Sequence, residues 1–146
     1  MRIVGLETVR TPRHPNLLFL RLRTDDGLVG LGEAFSGALA VEAYLHETAA
    51  DVLFALPDVS PELCARTLTP YLGFHGAGAE IRGNGAIDLA VWRLLGKAAG
   101  LPLTRLLGGP VRTRCPSTTP APARVTSGTP PASPRTTGGW PPNSCR

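Results

Sequence analysis

The chain has 146 residues, enough for one domain, and carries a formal net charge of +4 with a pI near 9.5. The charge is unevenly placed, because residues 1–112 hold 11 Lys/Arg and 11 Asp/Glu whereas residues 113–146 hold four Arg and no acid. Four widely spaced arginines without a basic cluster make a poor phosphate-binding surface, so we expect no nucleic-acid partner.

Three strands are predicted at the start of the chain, over residues 3–11, 17–24 and 28–33. In the second, three leucines alternate with Phe19, Arg21 and Arg23, which is the period-two pattern of a half-buried strand. Asp26-Gly27 before the third strand is typical of a tight hairpin, because glycine accepts the positive φ that such a turn demands. The three strands are therefore expected to form an antiparallel meander.

Three helices are predicted after the strands. The first follows Ser36, a candidate N-cap, and stops before Pro57; the second begins with Ser60 as its cap and Pro61 at its first position. The third ends at Gly100 and has one apolar face. That face consists of Ile87, Val91, Leu94, Leu95 and Ala98. Residues 73–80 are expected to form a flexible connection, and residues 102–109 a short turn.

The order of these elements predicts an α+β fold over residues 1–112, with a three-stranded antiparallel meander followed by a helical bundle. Residues 113–146 have a different composition: eight Pro, seven Thr and four Ser, with Val125 and Trp140 as the only large apolar residues. Such a segment cannot bury enough surface to offset the entropy of ordering it, so we expect a disordered tail.

Cysteine, histidine and apolar spacing exclude further classes of protein. Cys64, Cys115 and Cys145 show neither a disulfide framework nor a CxxC site, and the three histidines lie far apart, so we expect no metal and no cofactor in this chain. No apolar run reaches the length of a membrane span, and the first residues lack the apolar core of a signal peptide. These features predict a cytoplasmic protein with reduced thiols and no membrane partner.

Two segments, TDDGLVGLGEA (24–34) and GAIDLAVWRLLGKAAGLPLTRLLGG (85–109), resemble the N-terminal capping domain of the enolase superfamily. The likeness is to the mandelate racemase/muconate lactonizing enzyme branch, which includes the acid-sugar dehydratases, and it covers residues 1–112. The resemblance implies a parent enzyme in which this domain precedes a (β/α)-barrel. There a Lys or His base takes the proton α to the carboxylate of a small molecule or acid sugar, and Mg²⁺ stabilises the ene-diolate.

The resemblance also implies two loops that close over the substrate and select it. One is the connection between the first two strands (11–16), for which a solvated hairpin loop is the alternative; the other is the step from strand to helix (34–37). The candidate substrate-specificity residues are Arg13, His14, Asn16, Phe35 and Ser36.

The catalytic groups of the parent family have no counterpart in this sequence. Lys97 is the only lysine and no carboxylate follows Asp88, whereas a barrel needs about 250 residues. We therefore expect no catalytic residue here and no turnover by the chain itself. Two carboxylates are interpreted structurally: Glu33 in a structural rather than catalytic role, and Asp88 in a buried or capping hydrogen bond.

The segment 113–146 has two interpretations, a natural disordered tail or an out-of-frame translation. When the codons of residues 115–123 are regrouped so that each takes the last base of the preceding codon, they can read Val-Pro-Val-Tyr-Asn-Thr-Cys-Ala-Gly. This string resembles the first barrel strand of the family and has the β-branched and aromatic character of a strand. We therefore expect a frameshift near Arg112 that truncates a longer enzyme.

Two classes of function remain open at this point. The chain is either the capping domain of a truncated enzyme, or a non-enzymatic α+β interaction module that pairs with a partner barrel or with itself. Trp92 and the Leu/Val stripe near it are either core or the face that docks on the barrel. A capping domain without its barrel exposes an apolar patch, so we expect poor solubility and self-association through the barrel-docking face.

Overall fold

The computed structural model describes residues 1–69 and 78–111. The disordered tail, the frameshift and most of the connection predicted at 73–80 lie outside the described residues. Three strands precede five helices here: β1 (Ile3–Thr11), β2 (His14–Thr24), β3 (Val29–Phe35), α1 (Ala38–Tyr44), α2 (Ala50–Phe54), α3 (Pro61–Leu68), α4 (Ala79–Ala99) and α5 (Leu103–Leu106). A π-helical turn, Leu45–Ala49, joins α1 to α2. The predicted α+β order is confirmed.

The strands form one antiparallel sheet in the order β1-β2-β3, which is the meander predicted from the sequence. The alternating leucines of β2 are fully buried on the inner face, which the helices cover, and the residues between them are exposed on the outer face. The extent of the first loop was predicted wrongly. Thr11 pairs with His14, so only Pro12 and Arg13 form the turn between β1 and β2.

Helix α4 packs directly on β3 because β3 presents two glycines to it. A Cβ on Gly32 would overlap the carbonyl oxygen of Ala86 and lie 2.8 Å from its carbonyl carbon, and a Cβ on Gly30 would lie 3.0 Å from the carbonyl carbon of Ala90. The helix backbone therefore occupies the space of two missing side chains. Lys97 fastens the far end of the helix, since its Nζ donates to the carbonyl of Val29 at 2.7 Å.

Three of the four predicted helix ends are confirmed and one is wrong. The helical segment that precedes Pro57 ends at Phe54, as predicted. The Oγ of Ser60 accepts from the backbone N–H of Leu63 at 3.0 Å at the start of α3, and Gly100 ends α4 with φ 64°. Ser36 does not cap α1; its N-cap is Gly37, with φ 68° and no side-chain hydrogen bond.

The long helix differs from its prediction in detail. Ile87, Val91 and Leu94 are buried as expected, but Leu95 is only half-buried and Ala98 is exposed. The side chain of Asp88 is exposed and makes no hydrogen bond among the described residues, so its predicted buried or capping bond is wrong. The helix starts at Ala79, inside the predicted connection, and the predicted turn at 102–109 contains α5. Trp92 is half-buried and lines a groove with Pro61. No helix in the described part of the chain is long and apolar enough to cross a membrane.

Candidate functional site

The two predicted substrate loops meet at one end of the sheet. Antiparallel pairing places the start of β2 beside the end of β3, with Leu17 opposite Phe35. One residue further out, the backbone N–H of Ser36 donates to the carbonyl of Asn16 at 2.8 Å. Segments about twenty residues apart in the chain are thereby held together by the sheet register.

Four of the five candidate specificity residues line one shallow depression of about 190 Å³. The lining residues are Arg13, His14, Pro15, Asn16, Leu17 and Phe35. Phe35 stands at its edge with 66% of its surface exposed. The fifth candidate, Ser36, is joined to the depression through the hydrogen bond to Asn16. Their contact with a substrate remains a prediction.

The junction between β3 and α1 has an unusual backbone. Ser36, with φ 71°, is the only non-glycine with a positive φ among residues 1–69 and 78–111. An L-residue held there costs about 1–3 kcal/mol, and such strain is often stored at binding sites. Together with Gly37, it reverses the chain from strand to helix and turns the Ser36 amide toward Asn16. The Ser-Gly pair is the turn signal that could have revealed this conformation in the sequence.

The depression suits an anion. Arg13 and His14 line it, no carboxylate does, and neither residue makes an ion pair or side-chain hydrogen bond within the described part of the chain. A guanidinium and an imidazole can bind a carboxylate, and the Asn16 amide can both donate to and accept from hydroxyl groups. The lining offers binding groups, without a paired nucleophile and base.

A polar cluster on the inner side of β1 escaped the sequence analysis. Thr8 Oγ1 donates to Glu42 Oε1 at 2.9 Å and lies 2.8 Å from His46 Nε2, while Arg10 Nε lies 2.6 Å from Glu42 Oε2. Burial raises the pKa of Glu42, but the hydrogen bonds from Thr8 and Arg10 lower it by a larger amount. The net effect is a pKa below the ordinary value for a glutamate. The cluster fastens β1 to α1 and the π-helical turn. No sequence signal links residues more than thirty positions apart.

The described residues do not fit the magnesium ion of the parent family. No group of three or more His, Cys, Asp or Glu among them could hold a metal. The Glu33 side chain is exposed on the outer sheet face and makes no hydrogen bond or ion pair with a described residue, so the structure gives the carboxylate no structural role there.

The fold and the site define a small α+β domain that offers binding groups at one sheet end. Residues 5–108 match the family model described as the mandelate racemase/muconate lactonizing enzyme N-terminal domain. The chain belongs to this family.

The chain is also similar in sequence to curated proteins. The chain is 38% identical over 117 residues to a D-galactonate dehydratase from Verminephrobacter eiseniae, and 40% identical over 118 residues to one from Xanthomonas campestris pv. campestris. Each alignment covers 78% of this chain and 30% of the relative. The chain therefore spans about 30% of the length of the curated relatives it matches.

Solved structures share the fold. An enolase of the mandelate racemase subgroup from Agrobacterium tumefaciens is 47% identical with a TM-score of 0.70, covering 75% of this chain and 30% of that one. An enolase from Agrobacterium radiobacter, solved with bound Na and L-malate, is 27% identical with a TM-score of 0.69, covering 77% and 29%. The similar proteins are enolase-superfamily enzymes, and the similarity lies in the N-terminal domain.

Proposed function

We propose that this chain is the substrate-capping domain of a mandelate racemase/muconate lactonizing enzyme-like protein. The parent reaction is a magnesium-dependent proton abstraction α to a carboxylate, as in a racemase, cycloisomerase or acid-sugar dehydratase. The observation that carries the proposal is the depression at the end of the sheet, where two separate segments bring Arg13, His14, Asn16 and Phe35 together. The names of the D-galactonate dehydratases support an acid sugar as the ligand class.

Each lining group has a role that this ligand class would use. The Arg13 guanidinium pairs with the carboxylate, where a charge-assisted hydrogen bond is stronger than a neutral one. Asn16 and His14 exchange hydrogen bonds with sugar hydroxyls, and Phe35 covers the apolar face of the carbon chain. The Ser36 bond to the Asn16 carbonyl holds the two segments at a fixed separation. The domain thereby selects the substrate, and the chemistry belongs to the barrel.

By itself the chain has no turnover. The described residues hold no metal-binding cluster, and the only lysine of the sequence, Lys97, donates to a backbone carbonyl. The purified chain, incubated with Mg²⁺ and a panel of acid sugars, should form no keto-acid product. Dehydration that persists after every trace of host enzyme is removed would contradict this part of the proposal.

A chimera tests the capping role. Residues 1–111 replace the corresponding N-terminal part of the D-galactonate dehydratase from Verminephrobacter eiseniae, and kcat/KM is measured across acid sugars. The chimera should dehydrate an acid sugar, and Arg13→Ala should lower kcat/KM by about tenfold to a hundredfold through the loss of a charged hydrogen bond. The matched control is Arg82→Ala, which removes an exposed arginine of α4 and should change nothing. If the chimera is active and neither Arg13→Ala nor Asn16→Ala changes its kcat/KM, the proposed substrate contacts are refuted.

A further inference from the structure

The outer face of the sheet carries an apolar surface that no described residue covers. Val9, Phe19 and Leu31 lie on it and are 46%, 38% and 42% exposed. Beside β3 the surface continues into a groove of about 390 Å³, whose wall on the α4 side is formed by Leu89 and Arg93. Contiguous exposed apolar surface of this kind marks a site of association.

The charges around this surface follow a simple geometric pattern. The sheet register places Arg21 opposite Leu31, and Phe19 opposite Glu33, all four side chains on the outer face. They form a quadrilateral with the apolar pair on one diagonal and the opposite charges on the other. Arg21 lies 3.4 Å from Glu7, whereas the Glu33 carboxylate has no ionic or hydrogen-bonding partner within residues 1–69 and 78–111.

We propose that a second copy of this chain docks on the outer sheet face in a two-fold dimer. With the axis along the Phe19–Leu31 diagonal, each apolar residue meets its own copy and each Arg21 meets the partner's Glu33. Strand spacing of about 4.8 Å and a two-residue repeat of about 6.8 Å put the strands of the two sheets at about 70°. This angle lies near the orthogonal class of sheet packing.

A second copy fits this surface better than a different partner does. A two-fold interface must be complementary to itself, and one positive and one negative corner across an apolar diagonal meet that condition. Arg21 would attract a polyanion, but Glu33 would repel it. A strongly basic partner would be attracted by Glu33 and repelled by Arg21. The surface lies on the β3 side of α4, apart from the groove of Trp92, and its use does not depend on the proposed capping function.

Sedimentation velocity of the full chain, from about 1 to about 200 µM, tests the proposal, because a dimer must grow with concentration by mass action. Phe19→Asp should abolish the dimer. Arg21→Glu and Glu33→Arg should each raise the dimer dissociation constant by at least about tenfold, and the two changes combined should restore it to within about threefold. Glu7 also forms an ion pair with Arg23, at 3.1 Å, so it should retain an ionic partner when Arg21 is replaced. Circular dichroism checks that each variant is folded.

The control is Arg82→Glu, which makes the same charge change on an exposed position of α4 and should leave the dimer unchanged. A chain that stays monomeric at every concentration overturns the proposal. So does a dimer that survives Phe19→Asp, which would use another surface, or a charge-swapped double variant that fails to recover.

Discussion

Replacing Gly32 with alanine should force α4 away from the sheet. The new Cβ would overlap the carbonyl oxygen of Ala86 and lie 2.8 Å from its carbonyl carbon, whereas carbon atoms in contact are about 3.5–4.0 Å apart. The obstacle is helix backbone and cannot rotate aside as a side chain does. The helix must therefore retreat by about 1 Å along the line of closest contact.

The loss in the free energy of unfolding depends on the packing contacts that this movement of α4 weakens. Overpacking a core by a methyl group costs about 1–3 kcal/mol, and we take the upper end, about 3 kcal/mol, because the fully buried Ala90 and Leu94 move with the helix. A domain of this size has about 5–15 kcal/mol in total. Urea titration of the full chain, followed by circular dichroism, should show this loss. In a thermal scan the midpoint should fall by about 12–24 °C.

Gly85→Ala is the matched control, since it makes the same change on the exposed side of α4. Apart from the backbone of α4 itself, no atom of a described residue lies within 4 Å of the Cβ position there, and alanine is favoured over glycine inside a helix by about 1 kcal/mol. This variant should be more stable than the parent. If Gly32→Ala costs less than about 0.5 kcal/mol, the direct backbone contact between α4 and β3 is wrong, because overpacking there could not be so mild.

Three further outcomes are expected. The pKa of Glu42 is lowered in the folded chain from its ordinary 4.5, because the hydrogen bonds it accepts outweigh its burial. The charged Glu42 therefore stabilises the fold at pH values above its unfolded pKa, and this stabilisation is lost as the pH falls through its folded pKa. In urea titrations from neutral to acidic pH, the free energy of unfolding should fall less for Glu42→Gln than for the parent chain. Ser60→Ala should cost about 1 kcal/mol in the same assay through the lost cap, whereas Ser36→Ala, which removes no cap, should cost much less. Burial raises the pKa of the Cys64 thiol, so peptide mass spectrometry should find it alkylated by iodoacetamide only after unfolding; rapid labelling of the native chain would contradict its burial.

The elements that the sequence predicted well are those whose periodicity reflects burial. The leucines of β2 alternate because one sheet face meets the helices, and α4 ends at a glycine because the chain there needs φ 64°. Errors arose where long-range pairing overrides local preference. The sequence predicts a six-residue loop over residues 11–16, but pairing between Thr11 and His14 reduces it to two residues.

The site followed from the sequence only in part, and the reason is physical. The resemblance named its residues, but their meeting depends on the register of β2 against β3, which no local pattern encodes. Ser36 shows the consequence: the residue looks like a helix cap because serine favours that position, yet here its strained backbone directs its amide to Asn16. Such strain persists only where the surroundings hold the chain. Gly32 lies four residues before Ser36 on the strand that α4 fixes, so the close packing that stabilises the fold also supports the backbone geometry of the loop at Ser36.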